Sequence, residues 1–184
     1  MDNIFFDKKK LKYCGENVII GKTVRIRKPQ DVIIGDNTII DDFTYISCGA
    51  IIGNNCHIAS NVSISGGMGV FTMGDFSTLS NHSSVHCASS DYGIMSMDLP
   101  SSPEELRFGG EVGNIEIGKY VTVGAHSTIL PNVILPNGFA CGAYSLLKNI
   151  EYTPYTLWAG IPAKFIKKRT GVDYFLSIIN KSSI

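Results

Sequence analysis

The chain has 184 residues, five cysteines, and 16 basic against 16 acidic side chains, a formal charge of zero. That length suits one domain, and the balanced charge gives the protein as a whole no attraction for nucleic acid or anionic membrane. The absence of an apolar run near 18 residues and of any CxxC spacing argues against a membrane span, a zinc cluster and a disulfide framework. The cysteines therefore read as reduced core or corner residues of a cytoplasmic protein.

In chain order, residues 1–17 are polar and weakly patterned, which predicts a cap or arm over whatever follows. From residue 18 to about 150 the apolar positions keep a period of six. Ile34, Ile40, Ile46, Ile52, Ile58 and Ile64 form one run; Met73, Leu79 and Val85 a second; Ile117, Val123, Ile129, Leu135, Cys141 and Leu147 a third. Six matches neither the 3.6 of a helix nor the 2 of a lone strand. It matches a triangular coil of eighteen residues, each side giving one inward apolar residue. Stacked coils then satisfy one another's backbone groups at about 4.8 Å. Gly35, Gly53, Gly74, Gly118, Gly124 and Gly142 follow inward positions and are expected to relieve left-handed corner angles.

Two interruptions break the phase. A slip of three residues falls at Gly66-Gly67-Met68-Gly69, predicting a corner bulge. The long one, residues 91–116, reads as an extruded arm with a short helix capped by Ser102 and started by Pro103, after which the coil resumes at Ile117. Residues 151–184 are predicted as an extended turn and a helix over Val172–Asn180 that closes the final coil.

The repeat also acts as a coordinate system. Ile40, Ile58, Leu79, Val123 and Cys141 share one side; three residues on stand Phe43, Asn61, His82, His126 and Tyr144. His82 and His126, 44 positions apart, are thus predicted to be neighbours one coil apart, either a proton-handling pair or a pair that only hydrogen-bonds across coils. His57 reads as structural. His86, next to the arm, and Asp91 and Tyr92, which open it, are candidate pocket residues.

The hexads, together with Ile115-Glu116-Ile117-Gly118-Lys119-Tyr120-Val121-Thr122-Val123-Gly124-Ala125-His126 and Ala159-Gly160-Ile161-Pro162-Ala163-Lys164, resemble the bacterial hexapeptide-repeat acyltransferases, in particular the sugar and sugar-nucleotide acetyltransferases of surface polysaccharide biosynthesis, lipopolysaccharide included. The resemblance spans about residues 18–168. It implies an all-β fold, a left-handed parallel β-helix, a handedness that spacing alone does not give. It implies acetyl-coenzyme A as cosubstrate without a metal, a sugar or sugar-nucleotide acceptor, direct transfer without a covalent enzyme intermediate, and a homotrimer with sites between neighbours.

In such relatives a catalytic histidine lies near the start of the arm, where this chain has Ser90 or Asp91. His82 and His126 are therefore assigned as catalytic from coil geometry, with His86, Asp91 and Tyr92 as acceptor-binding. The resemblance implies a donor site at Gly124, Ala125, Gly142, Ala143, Ala159, Gly160, Pro162 and Lys164, with Lys167, Lys168 and Arg169 attracting phosphates. N-acetylation of an amine and O-acetylation of a hydroxyl both stay open. So do a small non-sugar acceptor such as an antibiotic, and a non-catalytic β-helical assembly protein.

Overall fold

The computed structural model describes residues 3–182. The chain winds as a left-handed β-helix of about seven turns. Its first wall stacks the strands Tyr13–Cys14, Val32–Ile34, Gly49–Ile52, Val70–Met73, Ile115–Ile117 and Ile134–Leu135. The second stacks Ile19–Ile20, Ile39–Ile40, His57–Ile58, Thr78–Leu79, Thr122–Val123, Ala140–Cys141 and Thr156–Ala159, and Lys164–Lys168 adds an antiparallel edge. The third stacks Arg25–Ile26, Tyr45–Ile46, Ser63–Ser65, Ser84–His86, Thr128–Ile129 and Leu146–Leu147. The first coil thus opens at Tyr13, inside the segment predicted as cap.

The six-residue register is the register of the stack. Ile40 pairs with Ile58, Ile58 with Leu79, Leu79 with Val123 and Val123 with Cys141, all in parallel. These inward residues are buried, most of them completely, and each large aliphatic contributes about 1.5–3 kcal/mol by leaving water. Four of the five cysteines lie in this core, and all five are free.

The corner glycines work for a different reason from the one expected. Gly35, Gly53, Gly74, Gly118, Gly124 and Gly142 are not left-handed; the positive φ falls three residues after the inward position, at Asn37, Phe43, Asn55, Asn61, Phe76, His82, Tyr120, His126, Tyr144 and Tyr155 among others. What excludes a side chain is the next coil: a Cβ on Gly74 would stand 2.8 Å from the Gly118 carbonyl carbon and 2.9 Å from the Lys119 nitrogen. Side-chain carbonyls and carboxylates bind the same corner together, Asp36 accepting from the Glu16 N–H (2.8 Å), Asn54 from Asp36 (2.7 Å) and Asp75 from Asn54 (2.9 Å). Buried hydroxyls bridge coils inside: Ser77 Oγ donates to the Gly118 carbonyl (2.8 Å) and accepts from the Val121 N–H (3.0 Å).

The arm also differs from expectation. It leaves the third wall as a two-stranded antiparallel ribbon, Ala88–Ser90 against Gly110–Val112, so it starts before residue 91, and the coil resumes at Ile115, which pairs with Phe71. The predicted helix is one 3-10 turn, Glu104–Leu106; Pro103 stands at its cap and Ser102 does not cap it. At the other end the helix runs Val172–Ser182, but Phe175, Ile178 and Tyr174 are exposed. Tyr152, Trp158 and Phe139, packed edge to face, fill the top of the last coil instead. Among the described residues no helix is long and apolar enough to cross a membrane.

Because only backbone atoms oppose a Cβ at Gly74, Gly74→Ala is expected to lose about 1–3 kcal/mol in denaturant unfolding, the usual cost of overpacking. A variant as stable as the parent contradicts this account of the corner.

Candidate active site

Two candidate surfaces stand at opposite ends of the third wall. At the corner between the third and first walls, the arm folds back over the wall and encloses a cleft of about 780 Å³. His86, Thr128 and Leu130 form its floor; Ser90, Asp91, Tyr92 and Glu111 come from the arm. His86 is the last residue of its strand, where the alternation that buries Val85 turns the imidazole outward. Its Nδ1 lies 3.3 Å from Ser65 Oγ on the adjacent coil. Burial disfavours the imidazolium and pushes the His86 pKa below its ordinary 6.5, so the ring is neutral at working pH.

Asp91 is set by its own turn. Its Oδ1 accepts from the Gly93 N–H (2.8 Å) and its backbone N–H donates to the Gly109 carbonyl (3.1 Å), closing the neck of the arm. Tyr92 stands at the rim, 93% exposed. Glu111 is fixed by the Asn132 side-chain amide, 2.7 Å away. The cleft is therefore lined by two carboxylates and one neutral imidazole, without a cation.

The second surface is a ridge along the corner between the second and third walls. Gly124-Ala125 lies under Gly142-Ala143, and the Tyr144 N–H donates to the Ala125 carbonyl (2.9 Å). Ala159 continues the column, with a Cβ on Gly142 meeting that of Ala159 at 3.3 Å. The turn through Gly160 and the cis Ile161–Pro162 bond is hydrogen-bonded to Leu146 from both sides. Gly124 needs no ligand to explain it, since its Cβ would lie 2.5 Å from the Ala143 nitrogen.

His82 and His126 belong to this same ridge. Their rings stack with centroids 4.8 Å apart and planes within 8°, and Tyr144 stacks on His126 at 4.7 Å. All three are exposed, at the left-handed position that every coil repeats, so their backbone conformation is a property of the turn and does not single them out. His82 stands in the turn before the third wall and His86 at the far end of that wall's strand Ser84–His86, so the two lie at opposite corners of the wall. Within one chain the paired histidines and the cleft are therefore separate. His57 pairs with Asp41 at 2.8 Å on the outer face of the second wall.

Of the cations, Lys164 opposes Ala159 and adjoins the ridge, whereas Lys167 and Lys168 oppose Leu157 and Thr156 farther along the wall. Arg169 is committed to carbonyls, its Nη1 donating to Gly138 at 2.8 Å and Tyr120 at 3.3 Å. Sequence reasoning missed Thr128, Leu130 and Glu111. The first two follow from the hexad register, since Thr128 pairs with Ser84; Glu111 depends on the pairing of the arm, for which no periodic signal exists. Among the described residues no group of three or more histidine, cysteine or acidic side chains could hold a metal.

Comparison with known proteins places this geometry. The bacterial transferase hexapeptide (six repeats) model matches residues 31–66. A dTDP-4-amino-4,6-dideoxy-D-glucose acyltransferase of Escherichia coli is 35% identical over 173 residues, covering 92% of this chain and 88% of that one. AntD, an N-acyltransferase from Bacillus cereus crystallised with dTDP and 3-hydroxybutyryl-CoA, superposes with a TM-score of 0.88 at 30% identity, covering 99% of this chain and 98% of that one. A serine-to-cysteine variant of AntD, bound to dTDP-4-amino-4,6-dideoxyglucose and coenzyme A, gives a TM-score of 0.88 at 30% identity, covering 99% and 100%.

The depressed pKa of His86 has a direct readout. The acid limb of kcat/KM is expected below pH 6.5, because the neutral ring persists until its lowered folded value is reached, and His86→Gln is expected to remove that limb. An unchanged limb in the variant assigns it to another group.

Proposed function

This chain belongs to the hexapeptide-repeat acyltransferases, enzymes that take their acyl group from coenzyme A, and on that premise we propose that it N-acylates a dTDP-linked 4-amino-4,6-dideoxy sugar for surface polysaccharide. The observation that carries the reading is the cleft: Asp91 and Glu111 line it together with a neutral His86 and no cation. Such a site suits an amine, which arrives as an ammonium ion and must lose a proton before it can attack. A neutral hydroxyl lacks the charge that two carboxylates attract, so the acidic lining favours the ammonium form of an amine over it. Similarity over nearly the whole chain to enzymes whose names specify dTDP-4-amino-4,6-dideoxyglucose supports the same acceptor.

In this mechanism Asp91 holds the ammonium and His86 accepts its proton. The neutral amine attacks the thioester carbonyl; the tetrahedral oxyanion is held by backbone N–H groups of the donor corner. Collapse breaks the carbon–sulfur bond, and the proton that the attacking nitrogen must lose to become an amide passes to the departing coenzyme A thiolate. His82 and His126 share their corner with Gly124, Ala125, Gly142 and Ala143, so their proton chemistry belongs at the thioester end. Tyr92 packs against the sugar. Lys164, with Lys167 and Lys168, attracts the donor's phosphates, and Ala159, Gly160 and Pro162 shape the turn against which the donor lies.

Since His82 and His86 stand at opposite corners of one wall, the donor ridge of one copy serves the cleft of the next in a homotrimer. The arm offers a surface for that contact: Ile94, Met95, Met97, Leu99 and Phe108 are all exposed, an uncommon concentration for a chain that stays alone.

Incubation with acetyl-CoA and dTDP-4-amino-4,6-dideoxyglucose is expected to give an amide-linked product by mass spectrometry, and Asp91→Asn to lower kcat/KM about 10- to 100-fold, the value of a hydrogen bond to a charged group. Ester products alone would overturn the reading. Mixing Asp91→Asn with His126→Ala subunits is expected to restore part of the activity that each homogeneous variant lacks, because some sites then combine an intact cleft with an intact ridge. No recovery contradicts the shared site.

A further inference from the structure

The neutral total conceals an uneven distribution of charge. Eight of the 16 lysines and arginines lie within residues 1–30, beside three of the 16 acids, whereas residues 31–118 hold 11 acids and one cation, Arg107. The strands Tyr13–Cys14, Ile19–Ile20 and Arg25–Ile26 are each outermost in their sheets, so the basic residues gather at one end of the prism. All eight are exposed. Lys8–Lys10 form a 3-10 turn, and the Lys12 N–H donates to the Pro29 and Val32 carbonyls, which brings that turn beside Lys28.

Guarding the open strand edge accounts for one of these cations: Lys8 Nζ donates to the Val18 carbonyl at 2.7 Å. Among the described residues none of the eight forms an ion pair, and the Asp7 carboxylate is turned to the Lys9 N–H at 2.9 Å. Apolar side chains stand among the charges. Ile4, Phe5, Tyr13 and Ile19 are 53–59% exposed. The Ile4 N–H donates to the Lys22 carbonyl (3.0 Å), which pins the segment across the corner, and the Arg25 guanidinium lies 5.9 Å from the Phe5 ring centre. Between this segment and the first coil opens a crevice of about 760 Å³, lined by Ile4, Phe5, Phe6 and Ile19 together with Lys8 and Lys9.

We propose that this end of the prism docks peripherally on an anionic lipid bilayer, its cations meeting the headgroup phosphates and Ile4 and Phe5 entering the boundary with the acyl chains. Unpaired cations alone match any polyanion. A nucleic acid would also use the aromatic rings, but exposed aliphatics beside the charges favour the apolar layer under lipid headgroups. The acidic stretch that follows turns the rest of the body away from such a surface, and so orients the molecule end-on. The strand Arg25–Ile26 lies three places from Ser84–His86 in the third wall, roughly 14 Å, so docking leaves the cleft open. The inference does not depend on which acceptor is acylated.

Flotation of the full chain with vesicles tests this. The protein is expected to float with phosphatidylglycerol–phosphatidylcholine vesicles but not with phosphatidylcholine alone, and to be released by high salt. Replacing Lys9, Lys10 and Lys12 together by glutamine is expected to lower partitioning about 100-fold, near fivefold for each cation removed. Ile4→Ser combined with Phe5→Ser is expected to weaken it as well, and both variants should keep the parent's thermal unfolding. Replacing Lys164, Lys167 and Lys168 by glutamine should leave flotation unchanged. Equal flotation with neutral and anionic vesicles, or loss in the Lys164 set with the first-coil variants unaffected, overturns the proposal. So does binding of a single-stranded oligonucleotide that falls in the Lys9 set while no vesicle is bound, which gives the end to nucleic acid.

Discussion

Coil-on-coil stacking is the constraint from which the other features follow. Every backbone N–H and C=O of a wall must find its partner one coil away, so the corners approach until even a methyl group collides, as at Gly74 and Gly124. The turn must then take its left-handed residue elsewhere, and whatever occupies that position is aimed out of the prism in a vertical column. The corner between the second and third walls thereby becomes a ladder in which His82, His126 and Tyr144 are brought face to face although 62 positions separate the first from the last. A rigid ladder of this kind positions functional groups without loop flexibility, and each side chain loses little further freedom on binding.

The same constraint explains why the cleft needs an arm. A regular coil presents flat walls and narrow corners, neither of which encloses a ligand. The ribbon from Ala88 to Val112 breaks the regularity at one corner, folds back against His86 and Thr128, and makes a concave, acidic place there. Burial there lowers the basicity of His86, whereas the ladder histidines stay in the open. One fold thus supplies two environments, a partly enclosed cleft and an exposed ridge.

The walls, their register and the adjacency of His82 and His126 were legible in the sequence because the inward residues repeat every six positions and the count carries across the arm. The reason for the glycines was not legible, since spacing shows where a small residue recurs but not whether dihedral angle or contact demands it; at Gly74 it is contact. Nor were the ribbon, the missing helix at Ser102 or the place of Glu111, because antiparallel pairing of two short segments leaves no periodic trace. Cap rules predicted a helix from Ser102 and Pro103, but three residues of it form, too few to bury an apolar face. His86 was named for its place beside the arm; its chemistry came only from the burial that the arm creates.

A crystal structure of the assembled protein with coenzyme A and dTDP-4-amino-4,6-dideoxyglucose tests the central claim most directly. The account predicts the sugar nitrogen under the arm, within hydrogen-bonding distance of Asp91 or His86, facing a thiol that lies along a neighbouring copy's Gly124–Ala125 corner. A sugar nitrogen seated against His82 and His126, with the cleft holding neither ligand, would contradict it.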